Sequence, residues 1–301
     1  VLHPFDALPA VLWPSGAARP SGCPRCGATS LQGWGSFRGR RRYRCNGCRR
    51  TFSDLTGTPA AYCKKLALWG RYARCLAHGL SVRRAAAQVH VHPSTAFRWR
   101  HAMLDGLRAA DRERLSGWVA LHSLRFPYSE KGRRDVAAPR ARAPARLWTG
   151  ADGVNVLVAC DRRGRVVTAV AERSWAWRIG TDALARALAA RLHGRPILTA
   201  REPKHGPAGR LARRRGLTFH GARGPRAEAV RVYARVDHAV AYGWRLQDWM
   251  RRFCGVATRY LPNYLVWHRA VDLRWRLAHP PAPTHTAAPR TRAKQPSTVA
   301  R

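Results

Sequence analysis

Residues 117–132 read "GWVALHSLRFPYSEKG". The run 117–126 is apolar and β-prone, and it predicts the opening strand of a large domain over 116–275. Two more strands are expected at 154–160 and 165–172. A helix is expected at 180–192, "GTDALARALAARL", then a strand at 196–200, "PILTA". A helix near 206–214, a short strand at 217–220 and a long helix at 227–253 complete the order β-β-β-α-β-α-β-α. Early hairpin-linked strands followed by α/β alternation predict a mixed sheet covered by helices.

Upstream, residues 60–108 turn helical. Leu66, Trp69, Tyr72, Ala73 and Leu76 recur at three- and four-residue intervals. In "GLSVRRAAAQVHVHPSTAFRWRHAMLDGL" Ser81 suits the cap of a short helix, Val82–Val89, and Pro93 the first turn of a second helix ending near Leu107. A short helix, a tight turn and a second helix is the pattern of a helix-turn-helix. The second helix is expected to offer Ser94, Thr95, Arg98 and His101 to a major groove, with Arg98, Ser94 and Thr95 favoured for base edges. Arg100 is assigned to phosphate, because it stands two residues from Arg98. Arg83 and Arg84 on the first helix are further candidate DNA contacts. Ala96, Phe97, Met103 and Leu104 are expected to pack. The structural alternative is a helical hairpin with no DNA role.

Further upstream, residues 21–54 contain "CPRCGATSLQGWGSFRGRRRYRCNGCRRTF". Cys23/Cys26 and Cys45/Cys48 form two C-x-x-C pairs separated by 18 residues, the spacing of a zinc ribbon. Two tight turns aim four thiolates at one ion, and a module this small needs the metal to fold. The alternative is two disulfides. "FRGRRRYRC" adds five arginines beside Phe37 and Tyr43; Arg38 and Arg40 are candidate phosphate contacts. Cys63, Cys75, Cys160 and Cys254 are scattered and read as packing residues.

The chain has 56 Lys+Arg against 16 Asp+Glu, a formal net charge of +40 over 301 residues. Such an excess points to a polyanion, and double-stranded DNA is the expected partner. Only five of the basic residues are Lys, so codon bias toward Arg accounts for part of the excess but not for the scarcity of acids. No stretch is long and apolar enough to span a bilayer, so no membrane partner is expected. The start of the chain lacks a basic region followed by an apolar run. With the metal-type cysteine pattern, this predicts a cytoplasmic, nucleoid-associated protein. Residues 1–20 and 276–301 are Pro- and Ala-rich and are expected to be disordered tails.

The predicted fold is therefore multidomain α+β: zinc ribbon, helix-turn-helix, and a mixed α/β domain whose element order is that of ribonuclease H-like (RNase H-like) nucleases and integrases. This organisation resembles insertion-sequence transposases of the IS-fifteen-ninety-five group. Four segments carry the resemblance: "RRRYRCNGCRRTFSDLTGTP" at 40–59, "SVRRAAAQVHVHPSTAFRWR" at 81–100, the S-x-K-G ending at Gly132, and "WMRRFCGVATRYLPNYLVWHR" at 249–269. The resemblance covers roughly 21–275. It implies binding of element ends, followed by divalent-metal-dependent DNA cleavage and transfer by a DDE-type triad.

That chemistry needs carboxylates to hold two metal ions. Counting back from Gly132, the first Asp position falls on His122, and its acidic neighbours on Ala120 and Ser123. No carboxylate lies between Glu113 and Glu130. The second position falls on Arg201, within "ILTAREPKHG". The third falls on Val240 or His238, with Gln247 where the resemblance implies Lys. Glu202 and Asp237 are the nearest substitutes. Asp161, at a hairpin turn, reads as a turn residue. The transposase triad is thus expected to be degenerate, with no intact catalytic residue, and Mg2+ is expected only if the site is still active.

Three functional readings compete. In one, a transposase-derived chain binds insertion-sequence ends but no longer cuts. In the second, an active transposase has a rearranged metal site. In the third, a transcriptional regulator uses the ribbon and helix-turn-helix, and the large domain makes a homo-oligomer. Metal-dependent cleavage separates the first two.

Overall fold

The computed structural model describes residues 19–132, 152–221 and 226–278. The expected N-terminal tail falls outside them apart from 19–20, and the C-terminal tail is outside them beyond 278. The first unit is a three-stranded antiparallel sheet in the order β1 (Leu31–Phe37), β2 (Arg40–Cys45), β3 (Thr51–Ser53). Its core is Leu31, Tyr43 and Phe52 with Cys23 and Cys45.

Three helices follow: α1 (Trp69–Ala77), α2 (Val82–Gln88) and α3 (Pro93–Ala110). Ser81 caps α2 by accepting the Arg84 N–H. His92 does the same for α3, where its ring accepts the Ser94 N–H and Pro93 fills the first turn. Ala85, Ala86 and Ala96 are buried, and their small side chains let the helices pack closely.

The large unit is a five-stranded sheet. Its strands are β4 (Trp118–Pro127), β5 (Gly153–Asp161), β6 (Val166–Ser174), β7 (Ile197–Ala200) and β8 (Phe219–Gly221). They lie in the order β6-β5-β4-β7-β8. β4–β5 and β5–β6 pair antiparallel, whereas β7 pairs parallel to β4 and β8 parallel to β7. Helices α4 (Thr181–Leu188) and α5 (Pro207–Arg214) share a core with one face of the sheet. Helices α6 (Arg226–Arg251) and α7 (Leu261–Ala278) pack on the other. Every β5 residue is buried, as a central strand covered on both faces should be.

Two features depart from the sequence reading. The helix expected at 227–253 is α6, but after the positive-φ pair Cys254 and Gly255 comes a second helix, α7, that the sequence reading did not include. The second of these helices continues to Ala278, past the boundary set at 275 for the onset of disorder. It also does more than close the domain. The helix-turn-helix shares one continuous core with α6, α7 and the sheet.

Trp267 on α7 donates to the Leu76 carbonyl (2.9 Å). Asn263 donates to Asp105 (3.0 Å). Asp111, at the end of α3, pairs with Arg269 (2.7 Å) and Arg191 (3.0 Å). The S-x-K-G segment docks here too: Ser129 and Thr258 exchange bonds of 2.8 and 2.9 Å. Two of the segments that carry the resemblance thus touch each other.

Candidate metal centre, DNA-binding helices and pocket

The two cysteine knuckles bring four sulfur atoms within 4.8 Å of one another. Cys23 and Cys48 lie 3.7 Å apart, and Cys26 and Cys45 3.5 Å. A tetrahedron with metal–sulfur bonds of about 2.3 Å has edges of about 3.8 Å, so the geometry fits one closed site of four thiolates. Each knuckle is a turn closed by backbone bonds, Gly27 N–H to the Cys23 carbonyl and Arg49 N–H to that of Cys45 (both 2.9 Å). Burial opposes ionisation of Cys23, but the N–H groups of Arg25 and Cys26 and the Cys48 thiol outweigh it and pull the thiol down to about 6. All four cysteines are free of disulfides, so the alternative pairing is not what the structure holds.

On the helix-turn-helix, Arg83, Arg84, Ser94 and Arg98 are exposed and Thr95 is half-buried. Ser94 is fixed by a 2.8 Å contact between its hydroxyl and the His92 ring. Two assignments need correction. Arg100 is wholly buried and reaches no phosphate in this arrangement. Its guanidinium donates to the Leu80 carbonyl (2.6 Å) and lies 4.7 Å from the centre of the Trp267 ring. His101 is also buried, stacked on Tyr260 at 3.9 Å. Burial holds its pKa down at about 4, helped by the Arg100 charge, so it is neutral there. Both side chains belong to the seam with α7.

Phe97, expected to pack, is partly exposed and lies against His101 and Tyr260. In the ribbon, Arg38 is exposed at the hairpin tip with a left-handed backbone, whereas Arg40 is half-buried and paired with Asp54. Arg98→Ala is expected to weaken binding to a preferred duplex by about 1–3 kcal/mol while sparing nonspecific affinity, as base-edge contacts do. Gel-shift titration against matched and scrambled duplexes checks it. Equal losses on both would reassign Arg98 to phosphate.

The positions aligned with a metal site do meet. The parallel pairing of β4 and β7 sets Leu121 opposite Ala200, so His122, in the middle of β4, and Arg201, just past the end of β7, are neighbours. They line a cavity of about 160 Å³ with Ser123, Glu202, Arg178 and Ala208. Burial, then the Arg201 charge, lowers the His122 pKa and keeps the imidazole neutral. Gly243 of α6 packs on its ring: a Cβ there would come within 2.9 Å of His122 Cδ2. His238 is exposed, and Val240 and Gln247 are half-buried.

Neither nearby acid is idle. Glu202 accepts the Ala208 N–H at the start of α5, and burial raises its pKa. Asp237 pairs with Arg201 at 2.6 Å. Asp161 is buried and accepts from the Arg163 and Arg165 amides (3.0 and 3.1 Å) and the Arg165 side chain (2.7 Å), which is the turn role expected of it.

Sequence reasoning missed the loop beside this pocket, "SWAWRIG" at 174–180. Trp175 and Trp177 are 74% and 68% exposed, and Arg178 is exposed as well. The available signal was two tryptophans spaced two apart and followed by an arginine, just past a strand.

These elements describe a DNA-binding helix-turn-helix joined to a mixed α/β body, with a four-cysteine cluster that could hold a metal ion. A family model described as a homeodomain-like domain matches residues 68–110. The chain is also 33% identical over 149 residues to a Halobacterium salinarum protein described as "Uncharacterized protein in transposable element ISH50". The match takes in 46% of this chain and 49% of that protein, so the chain spans about half the length of the relative it matches. No solved structure matches the chain. Among the described residues no helix is long and apolar enough to cross a membrane.

Proposed function

We propose that the chain is a transposase-type protein that binds double-stranded DNA at insertion-sequence ends and no longer cuts it. The homeodomain-like match and the transposable-element relative support the transposase reading. The strand order, with three antiparallel strands first and two parallel strands added beside the first of them, supports an RNase H-like body. An all-sulfur, closed donor set supports structural zinc at Cys23, Cys26, Cys45 and Cys48.

One observation carries the loss of cleavage. In the middle of β4 and just past β7, at the positions where the resemblance implies acids for two-metal chemistry, stand His122 and Arg201. The two neighbouring carboxylates are engaged, Glu202 by the α5 amide and Asp237 by Arg201. A neutral imidazole and a guanidinium do not make a magnesium site, which takes oxygen ligands. Incubated with duplex carrying the element ends, the protein is expected to bind and to leave the strands intact, with or without magnesium or manganese. Nicking or joining that requires the added metal and is lost in His122→Ala overturns the reading. In a protein that binds without cutting, His122→Asp with Arg201→Asp should recover metal binding only in part, because Ala120, Ser123 and Gln247 supply no carboxylate.

A further inference from the structure

We infer that the loop 174–180 and the pocket beside it bind single-stranded DNA, with phosphate on Arg178 and Arg201 and unpaired bases on Trp175 and Trp177. The inference goes beyond the reading above and does not depend on the helix-turn-helix recognising any sequence. The pocket's apolar lining belongs to the core shared with α4 and α5, whereas the helix-turn-helix packs on the α6–α7 side of the sheet.

The loop is held from beneath by buried polar side chains. Asn155 is wholly buried and donates to the carbonyls of Ala176 (3.0 Å) and Arg178 (3.2 Å). Arg125, also buried, donates to the same Ala176 carbonyl (2.6 Å) and lies 5.2 Å from the Trp177 ring centre. Ser174 accepts from Ala176 N–H (3.0 Å), and Glu172 from Gly180 N–H (2.6 Å). Burying an amide and a guanidinium is costly unless they are hydrogen-bonded, and here these bonds go to a surface loop. The loop so fixed holds two indoles in water.

A single exposed tryptophan needs no explanation. Two on a braced loop, with Arg178 next to them and Arg201 across the cavity, match the stacking-and-charge pattern that single strands use. Duplex DNA hides its base faces, so it cannot occupy the indoles. The local acids do not cancel the arginines. Glu202 feels the Arg178 charge but is bonded to the Ala208 amide of α5, Glu172 is bonded to Gly180, and the exposed Asp237 is a partner that an incoming phosphate can displace from Arg201.

The test uses the full chain, an oligothymidylate carrying 5-iododeoxyuridine, and excess unlabelled duplex to occupy the other basic surfaces. Photocrosslinking should mark the peptide holding Trp175 and Trp177. Trp177→Ala and Arg178→Ala should each weaken single-strand binding about tenfold, a stacking-sized effect, and leave duplex binding unchanged. Both side chains are exposed, and a melting curve of each variant shows whether the fold is kept. For Trp177→Ala, Trp175→Ala is the second variant should the first lose its fold. Crosslinks confined to other peptides, unchanged single-strand affinity in folded variants, or full competition by the duplex overturns the inference. Loss of element-end duplex binding by the unmodified protein would count against the transposase reading alone.

Discussion

Cys45→Ser is expected to release the metal proposed at the four cysteines and to unfold residues 21–54, while the α/β body keeps its melting transition. Cys45 is wholly buried, 3.5 Å from the Cys26 sulfur. The ribbon's core has only Leu31, Tyr43 and Phe52 besides its cysteines. β1 exposes every residue after Leu31, so it contributes almost nothing to that core. A structural zinc in such a module supplies about 10–16 kcal/mol of apparent folding free energy at neutral pH. A serine oxygen is a poor substitute for one thiolate of four and leaves the other three sulfurs crowded without their counter-ion. Metal content per chain and hydrogen exchange in 31–53 measure the outcome. One retained equivalent of metal, or unchanged protection in β1 and β2, would mean that the cysteines pack without an ion.

Trp267→Ala is expected to cost about 3–5 kcal/mol, the range for removing a large core aromatic. The ring is 2% exposed and meets Trp249 edge-on at 4.9 Å, with Phe253 and Tyr264 alongside. It also does two things a cavity estimate leaves out. Its N–H satisfies the Leu76 carbonyl near the end of α1, and its face lies under the buried Arg100 guanidinium. Truncation leaves that charge in an apolar seam without its ring partner. Trp267→Phe, which keeps most of the packing and loses the N–H, should cost nearer 1–2 kcal/mol, the scale of one buried hydrogen bond plus a small cavity. Denaturant unfolding followed by circular dichroism separates the two. A loss below about 1 kcal/mol for the alanine variant would show that the helix-turn-helix and α7 are not energetically joined.

Parts governed by local pattern were legible in the residues. The C-x-x-C spacing, the Ser81 and Pro93 signals around the turn, and the strands from 118 to 174 all follow from periods and caps within a few residues of each other. The absence of a carboxylate on β4 is likewise a property of the sequence. Some signals pointed the wrong way for a physical reason. Arg100 and His101 look like the polar face of a recognition helix, because charge normally marks solvent. α3 is covered by α7 as well as by α1 and α2, so the apparent solvent face is an interior one. The end of α6 near 253 was legible, but α7 beyond it was not, because 261–272 is buried on nearly every side and shows no one-sided period.

By itself the sequence determined the chemistry available: four thiols at ribbon spacing, two capped helices, a basic chain, and no acid on the first strand of the sheet. Tertiary structure alone decided which of these groups meet. His122 and Arg201 stand 79 positions apart and become neighbours only when β7 pairs parallel to β4. Asn155 and Arg125 brace a loop some 20 to 50 residues away, through hydrogen bonds that no local pattern announces. Backbone periodicity is encoded within a turn or two of chain, whereas a pocket or a seam exists only where distant strands and helices exclude water together.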